Sequence, residues 1–183
     1  MARFVHLFDN PARFVSGTVG VPGERTFFLQ ARDKGRLISV ALEKEQVRLL
    51  ADRLNDLLDQ VSSAEGLDSL YSGPADLEPL DSPIEEEFRV GALALGWNGL
   101  SRQVIIEAHA QTESLMDVPD LEEDSDDGPD LLRVRVTAPI ARAFAQRALS
   151  VVSAGRPPCP LCDQPLDQRG HICPRANGYR RRG

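Results

Sequence analysis

Two stretches of this chain match position for position in polarity: Arg25-Thr-Phe-Phe-Leu-Gln-Ala-Arg32 and Arg102-Gln-Val-Ile-Ile-Glu-Ala-His109. A pattern repeated inside one chain restricts the fold to arrangements in which one structural unit is built twice. The flanks agree as well. Phe14-Val-Ser-Gly17 precedes the first copy and Phe88-Arg-Val-Gly91 the second, while Leu37-Ile-Ser-Val-Ala-Leu and Leu131-Leu-Arg-Val-Arg-Val follow them. Each run is short, β-branched or aromatic, and bounded by turn residues, so each reads as a strand. Gly20-Val-Pro-Gly23, Asp33-Lys34-Gly35 and Trp97-Asn98-Gly99 supply hairpin turns, and connections this short imply antiparallel pairing.

A helix closes each copy. From about Glu43 to Val61, residues Val47, Leu50, Leu54, Leu57, Leu58 and Val61 recur at three- and four-residue spacing, with glutamates in the first turn where the helix dipole favours them. From about Pro139 to Ser153, Ile140, Phe144, Ala148 and Val151 share a face, and Gly155 with Pro157-Pro158 ends the run. The expected fold class is α+β: two strand-strand-strand-helix pseudo-repeats with antiparallel sheets. The first repeat occupies residues 1–61, a linker 62–87, the second repeat 88–155, and a basic tail 156–183. Pro74, Pro79 and Pro83 mark the linker. Within the second repeat, residues 117–130 hold eight carboxylates and no base, which reads as a solvated, mobile insertion. A calcium loop does not fit it, because Asp127 falls where the EF-hand needs glycine and Arg133 where it needs the final glutamate.

All three cysteines lie in the tail, as Cys159-x-x-Cys162 and His171-x-Cys173. A C-x-x-C turn points two sulfurs at one metal, and Gly170 lets the chain double back to bring in the second pair. Three thiolates and one imidazole form a closed tetrahedral set suited to Zn²⁺, with no position left for a substrate water, so the expected role is structural. Free or redox-active thiols are the other reading. The site would carry one net negative charge, which Arg156, Arg169 and Arg175 could offset. His6 and His109 stand without a cysteine or carboxylate motif and read as surface or strand residues.

The net charge of −7 argues against a protein that coats nucleic acid through its overall field. The tail is the exception: residues 156–183 carry six arginines, and Arg175, Tyr179, Arg180, Arg181 and Arg182 are the candidate partner-binding group. A solubilising end is the plainer use of the same residues. There is no nucleophile elbow, phosphate-binding glycine loop or dinucleotide fingerprint. No signal-like apolar segment opens the chain, and no uncharged apolar run approaches the ~20 residues of a membrane span. The resulting expectation is a cytoplasmic, non-enzymatic binding or adaptor module with a protein partner. Single-stranded nucleic-acid binding is the alternative, and an enzyme with an unfamiliar active site comes third.

The ending Cys159-Pro-Leu-Cys162, Pro165-Leu-Asp, Gly170-His-x-Cys173-Pro-Arg-x-Asn177-Gly-Tyr-Arg-Arg, taken with the internal repeat, resembles an actinobacterial family, domain of unknown function three-zero-nine-zero. The resemblance covers essentially the whole chain and implies a bacterial, cytoplasmic setting without a mechanism. Asp163 stands where the pattern has glycine after the second cysteine. In architecture alone, two strand-rich repeats each closed by a helix look like the single-stranded nucleic-acid-binding repeats of the Pur and Whirly proteins. Aromatics, at 5% of residues, are sparse for such binding.

Overall fold

A computed structural model describes residues 3–65, 74–113, 121–122, 126–155, 158–164, 166 and 171–175. The elements in chain order are β1 (Val5–Asp9), β2 (Arg13–Val19), β3 (Thr26–Asp33), β4 (Arg36–Leu42), α1 (Lys44–Glu65), β5 (Glu86–Asn98), β6 (Gln103–Ala110), β7 (Leu131–Thr137) and α2 (Ala138–Ser153). After β1 the order is three strands and a helix, twice. All the described strands join in one seven-stranded sheet, β1-β7-β6-β5-β4-β3-β2. Neighbours within each unit run antiparallel. Two joints add parallel pairing: β4 to β5, where α1 and the following segment form the long crossover that parallel strands require, and β1 to β7. None of the described helices is long and apolar enough to cross a membrane.

The helices cover one face of the sheet. Phe27, Leu29, Val104, Ile106, Leu132 and Val134 alternate inward and meet Leu50, Leu54 and Leu58 of α1 and Phe144 of α2. Burying side chains of this size stabilises by about 1.5–3 kcal/mol each. Phe14 stacks on Phe144 with ring centroids 4.4 Å apart. On α2 the buried stripe runs through Ala141, Ala145 and Ala148, whereas Ile140, expected inward, is exposed. Small alanines permit close approach of the two helices. Phe8 of β1 joins the same core, and the Arg36 guanidinium lies 4.1 Å from its ring centroid.

The opposite face is closed by connecting chain. Residues 74–85, expected only to link the repeats, form a strap around β2, the edge strand. Arg13 meets Asp76 at 2.6 Å and Asp81 at 3.0 Å, and it holds the Asp76 carboxyl below its usual range. From α2, the buried Arg147 donates to the carbonyls of Ser16 (2.8 Å), Glu78 (2.7 Å) and Asp76. Gln30 exchanges two bonds with the Asp81 backbone and donates to Ser39 Oγ. Leu80 occupies the space over Gly17, where an added Cβ would lie 2.6 Å from Leu80 Cγ.

Two described residues of the acidic insertion pack on the other half. Its described residues are not merely solvated: Leu121 sits over Gly96, and the Glu122 carboxylate takes both Nε (2.9 Å) and Nη2 (2.6 Å) of Arg135. The Glu122 N–H reaches the buried Glu107 carboxylate at 3.0 Å. The reason is local. Glu107, Arg133 and Arg135 project from β6 and β7 on the side away from the helices, and their charges need partners there.

Arg147 ties helix, edge strand and strap together, so its loss should be felt globally. Arg147→Met should lower the unfolding free energy by about 2–4 kcal/mol, because buried carbonyls lose their charged donor. Urea denaturation checks this; an unchanged midpoint would show that the strap is held by other contacts.

Candidate metal centre

Residues 158–164 form a tight knuckle. The Cys159 N–H donates to the Gln164 carbonyl at 2.8 Å and the Asp163 N–H to the Cys159 carbonyl at 2.9 Å. The turn carries Cys162 back beside Cys159. Asp163 closes it with φ at +58°, the left-handed conformation that glycine adopts most freely and that aspartate tolerates. The Leu161 N–H lies 3.5 Å from Cys159 Sγ. This donor is the main reason the Cys159 thiol falls below its ordinary pKa; burial opposes it, and the Cys162 N–H and the neighbouring thiols assist. A thiol so placed is prepared to act as a thiolate ligand.

His171 and Cys173 complete the group. Cys159 Sγ is 3.9 Å from Cys173 Sγ, and Cys162 Sγ is 3.2 Å from His171 Nε2. All four donor atoms lie within 4.8 Å of one another. A tetrahedral ion with metal–sulfur bonds of ~2.3 Å would set its sulfurs ~3.8 Å apart, so the group could hold a metal ion. The cysteines are free thiols, Cys159 and Cys173 buried and Cys162 partly so. The four residues expected as ligands are therefore brought together. His171 Nδ1 has no hydrogen-bond partner among the described residues.

Arg175 also comes to the knuckle, donating from Nη1 to the Leu161 carbonyl at 3.0 Å. Beside the donors, Leu161 and Ile172 are 53% and 83% exposed, an unusual display for apolar side chains on so small a unit. Arg156, Arg169, Tyr179, Arg180, Arg181 and Arg182 lie outside the described residues.

A second polar cluster escaped the sequence reading. His109, read as a lone strand or surface residue, is in a strand but fully buried, with Nε2 3.1 Å from Glu107 Oε2. Arg133 Nε donates to the other Glu107 oxygen at 2.6 Å. Burial pushes the imidazole below its usual pKa, and Glu107 acts in the opposite direction. The signal was present, since residues two apart on a strand share a face. All three side chains are sealed from solvent, so the cluster holds β6 to β7 rather than reaching a substrate.

The strained knuckle position gives a direct check. Asp163→Val places a β-branched residue at positive φ and should weaken metal retention by about 1–2 kcal/mol, roughly tenfold in chelator competition. Asp163→Gly should retain metal at least as well as the unaltered chain. Equal loss in both variants would contradict the role given to this turn.

No curated protein and no solved structure matches this chain. The family model described as a protein of unknown function (DUF3090) matches residues 6–173, a span that takes in every strand pairing described above apart from its first residue and ends on the last of the four donors, Cys173. The chain belongs to the DUF3090 family.

Proposed function

We propose that this chain is a non-enzymatic binding module whose C-terminal clip is held by a structural zinc ion and presents a basic surface to a protein partner. The observation that carries the reading is the convergence of Cys159, Cys162, His171 and Cys173, with donor atoms within 4.8 Å of one another. Thiolate and imidazole donors favour zinc over harder cations, and four protein ligands leave no open position for substrate. What the ion would supply is a cross-link, in a segment too short to bury a core of its own.

Exposed Leu161 and Ile172 beside Arg175 support a contact surface on the clip. Tyr179, Arg180, Arg181 and Arg182 would extend it with one aromatic ring and further positive charge. The net charge of −7 favours a protein partner over a nucleic acid, and free thiols fit a reducing cytoplasm. Single-stranded nucleic acid is the second reading, favoured by the same pairing of arginines with exposed apolar side chains.

Protein purified without added metal should contain about one zinc per chain, and Cys162→Ser should lose it. A metal-free chain with an intact clip would end the zinc assignment. Passage over a mixed oligonucleotide at several salt concentrations separates the partners: the protein-partner reading expects no salt-dependent retention. Retention that falls with salt and disappears when Arg180, Arg181 and Arg182 are replaced would transfer the function to nucleic acid.

A further inference from the structure

Away from the clip, a cavity of about 620 Å³ opens where β3, the first turn of α1 and the end of α2 meet. Its lining includes Arg25, Phe27, Lys44, Arg48, Val152 and Gly155, with Glu45 as its acid. A chain of net charge −7 thus gathers three cations around one opening. Two of them converge. A Cβ placed on Gly155 would lie 3.7 Å from Arg25 Nη2 and 3.7 Å from Lys44 Nζ, so both charged groups look onto the bare face of one glycine.

Neither group is neutralised there. Arg25 Nη1 donates to the Val151 and Ala154 carbonyls at the end of α2, at 3.4 and 3.2 Å, which fixes the guanidinium and leaves Nη2 directed at the opening. The Phe27 ring, 5.3 Å from the Arg25 guanidinium carbon, supports it from one side. The Lys44 ammonium makes no ion pair or hydrogen bond among the described residues. Glu45 is already engaged by Arg48 at 2.7 Å, and Glu43 is turned to Arg89 at 3.0 Å. Both cations face the same space with no acid paired to either, so an anion placed there would be attracted to both. The first turn of α1 lines the same cavity and the positive end of its dipole favours an anion there, against the negative end of α2, whose last carbonyls Arg25 caps.

We propose that this cavity binds a small phosphorylated ligand, its phosphate between Arg25 and Lys44 and its remainder along Phe27 and Val152. A planar guanidinium and a point-like ammonium are the usual pair for a phosphate group, and the volume is that of a small-molecule site. None of the four donors of the clip lines this cavity.

Calorimetric titration of the full chain with inorganic phosphate, pyrophosphate, AMP and adenosine tests the proposal. At least one of the three phosphate compounds should bind, with adenosine silent. Lys44→Glu should weaken that binding by about tenfold or more, whereas Glu45→Gln, which removes the acid of the lining and one of the two carboxylates paired with Arg48, should leave it equal or tighter. Opposed effects at adjacent exposed positions separate charge recognition from misfolding. No binding of any phosphate compound, binding of adenosine as tight as AMP, or an affinity unmoved by Lys44→Glu would each overturn the proposal. Tight binding of a short oligonucleotide with no response to the small phosphates would overturn it too.

Discussion

Two helices can cover only one face of a seven-stranded sheet, and how the other face is closed governs this molecule. That face carries Gln30, Ser39, Glu107, His109 and Arg133, all nearly free of solvent contact. Buried polar groups are tolerable only when paired. Its own connections reach two of them: the strap bonds Gln30 through Asp81, and the Glu122 backbone reaches Glu107, while Gln30 in turn holds Ser39 and Glu107 holds Arg133 and His109 Nε2. The proline-rich and acid-rich connecting segments therefore contribute described residues to the fold.

Much of the architecture was legible because its signals are local. Strand alternation, hairpin turns and apolar helix stripes place β2, β3, β4, β6, β7 and both helices near their observed bounds, although α1 continues to Glu65, beyond the expected Val61, and β5 continues through Trp97 and Asn98, expected in a turn. What escaped is non-local. Val5-His-Leu-Phe-Asp has no counterpart in the second copy to mark it as a strand, and its pairing partner is β7, more than a hundred residues later. Likewise, neither the composition of residues 74–85 nor that of the acidic insertion reveals that Arg13, Arg147 and Arg135 will capture their carboxylates and carbonyls. Glu107 and His109 could have been linked by their strand spacing, but their burial depends on what later folds over them.

The donor set was the most legible feature of the site, because ligand chemistry restricts both residue type and spacing. Its geometry adds the strained turn at Asp163, the Leu161 N–H aimed at Cys159 and the exposed pair Leu161 and Ile172. The cavity beside Gly155 had no such signature. Arg25 and Lys44 come from different elements, and only the tertiary fold brings their charges together.

The account stands or falls on what occupies the four donors. X-ray absorption at the zinc edge, on protein purified without added metal, reads both the element and its shell. The account predicts about three sulfurs at ~2.3 Å and one nitrogen at ~2.0–2.1 Å, with no oxygen bound. An absent zinc edge, or a shell containing a water oxygen in place of one of these donors, would contradict the closed structural clip.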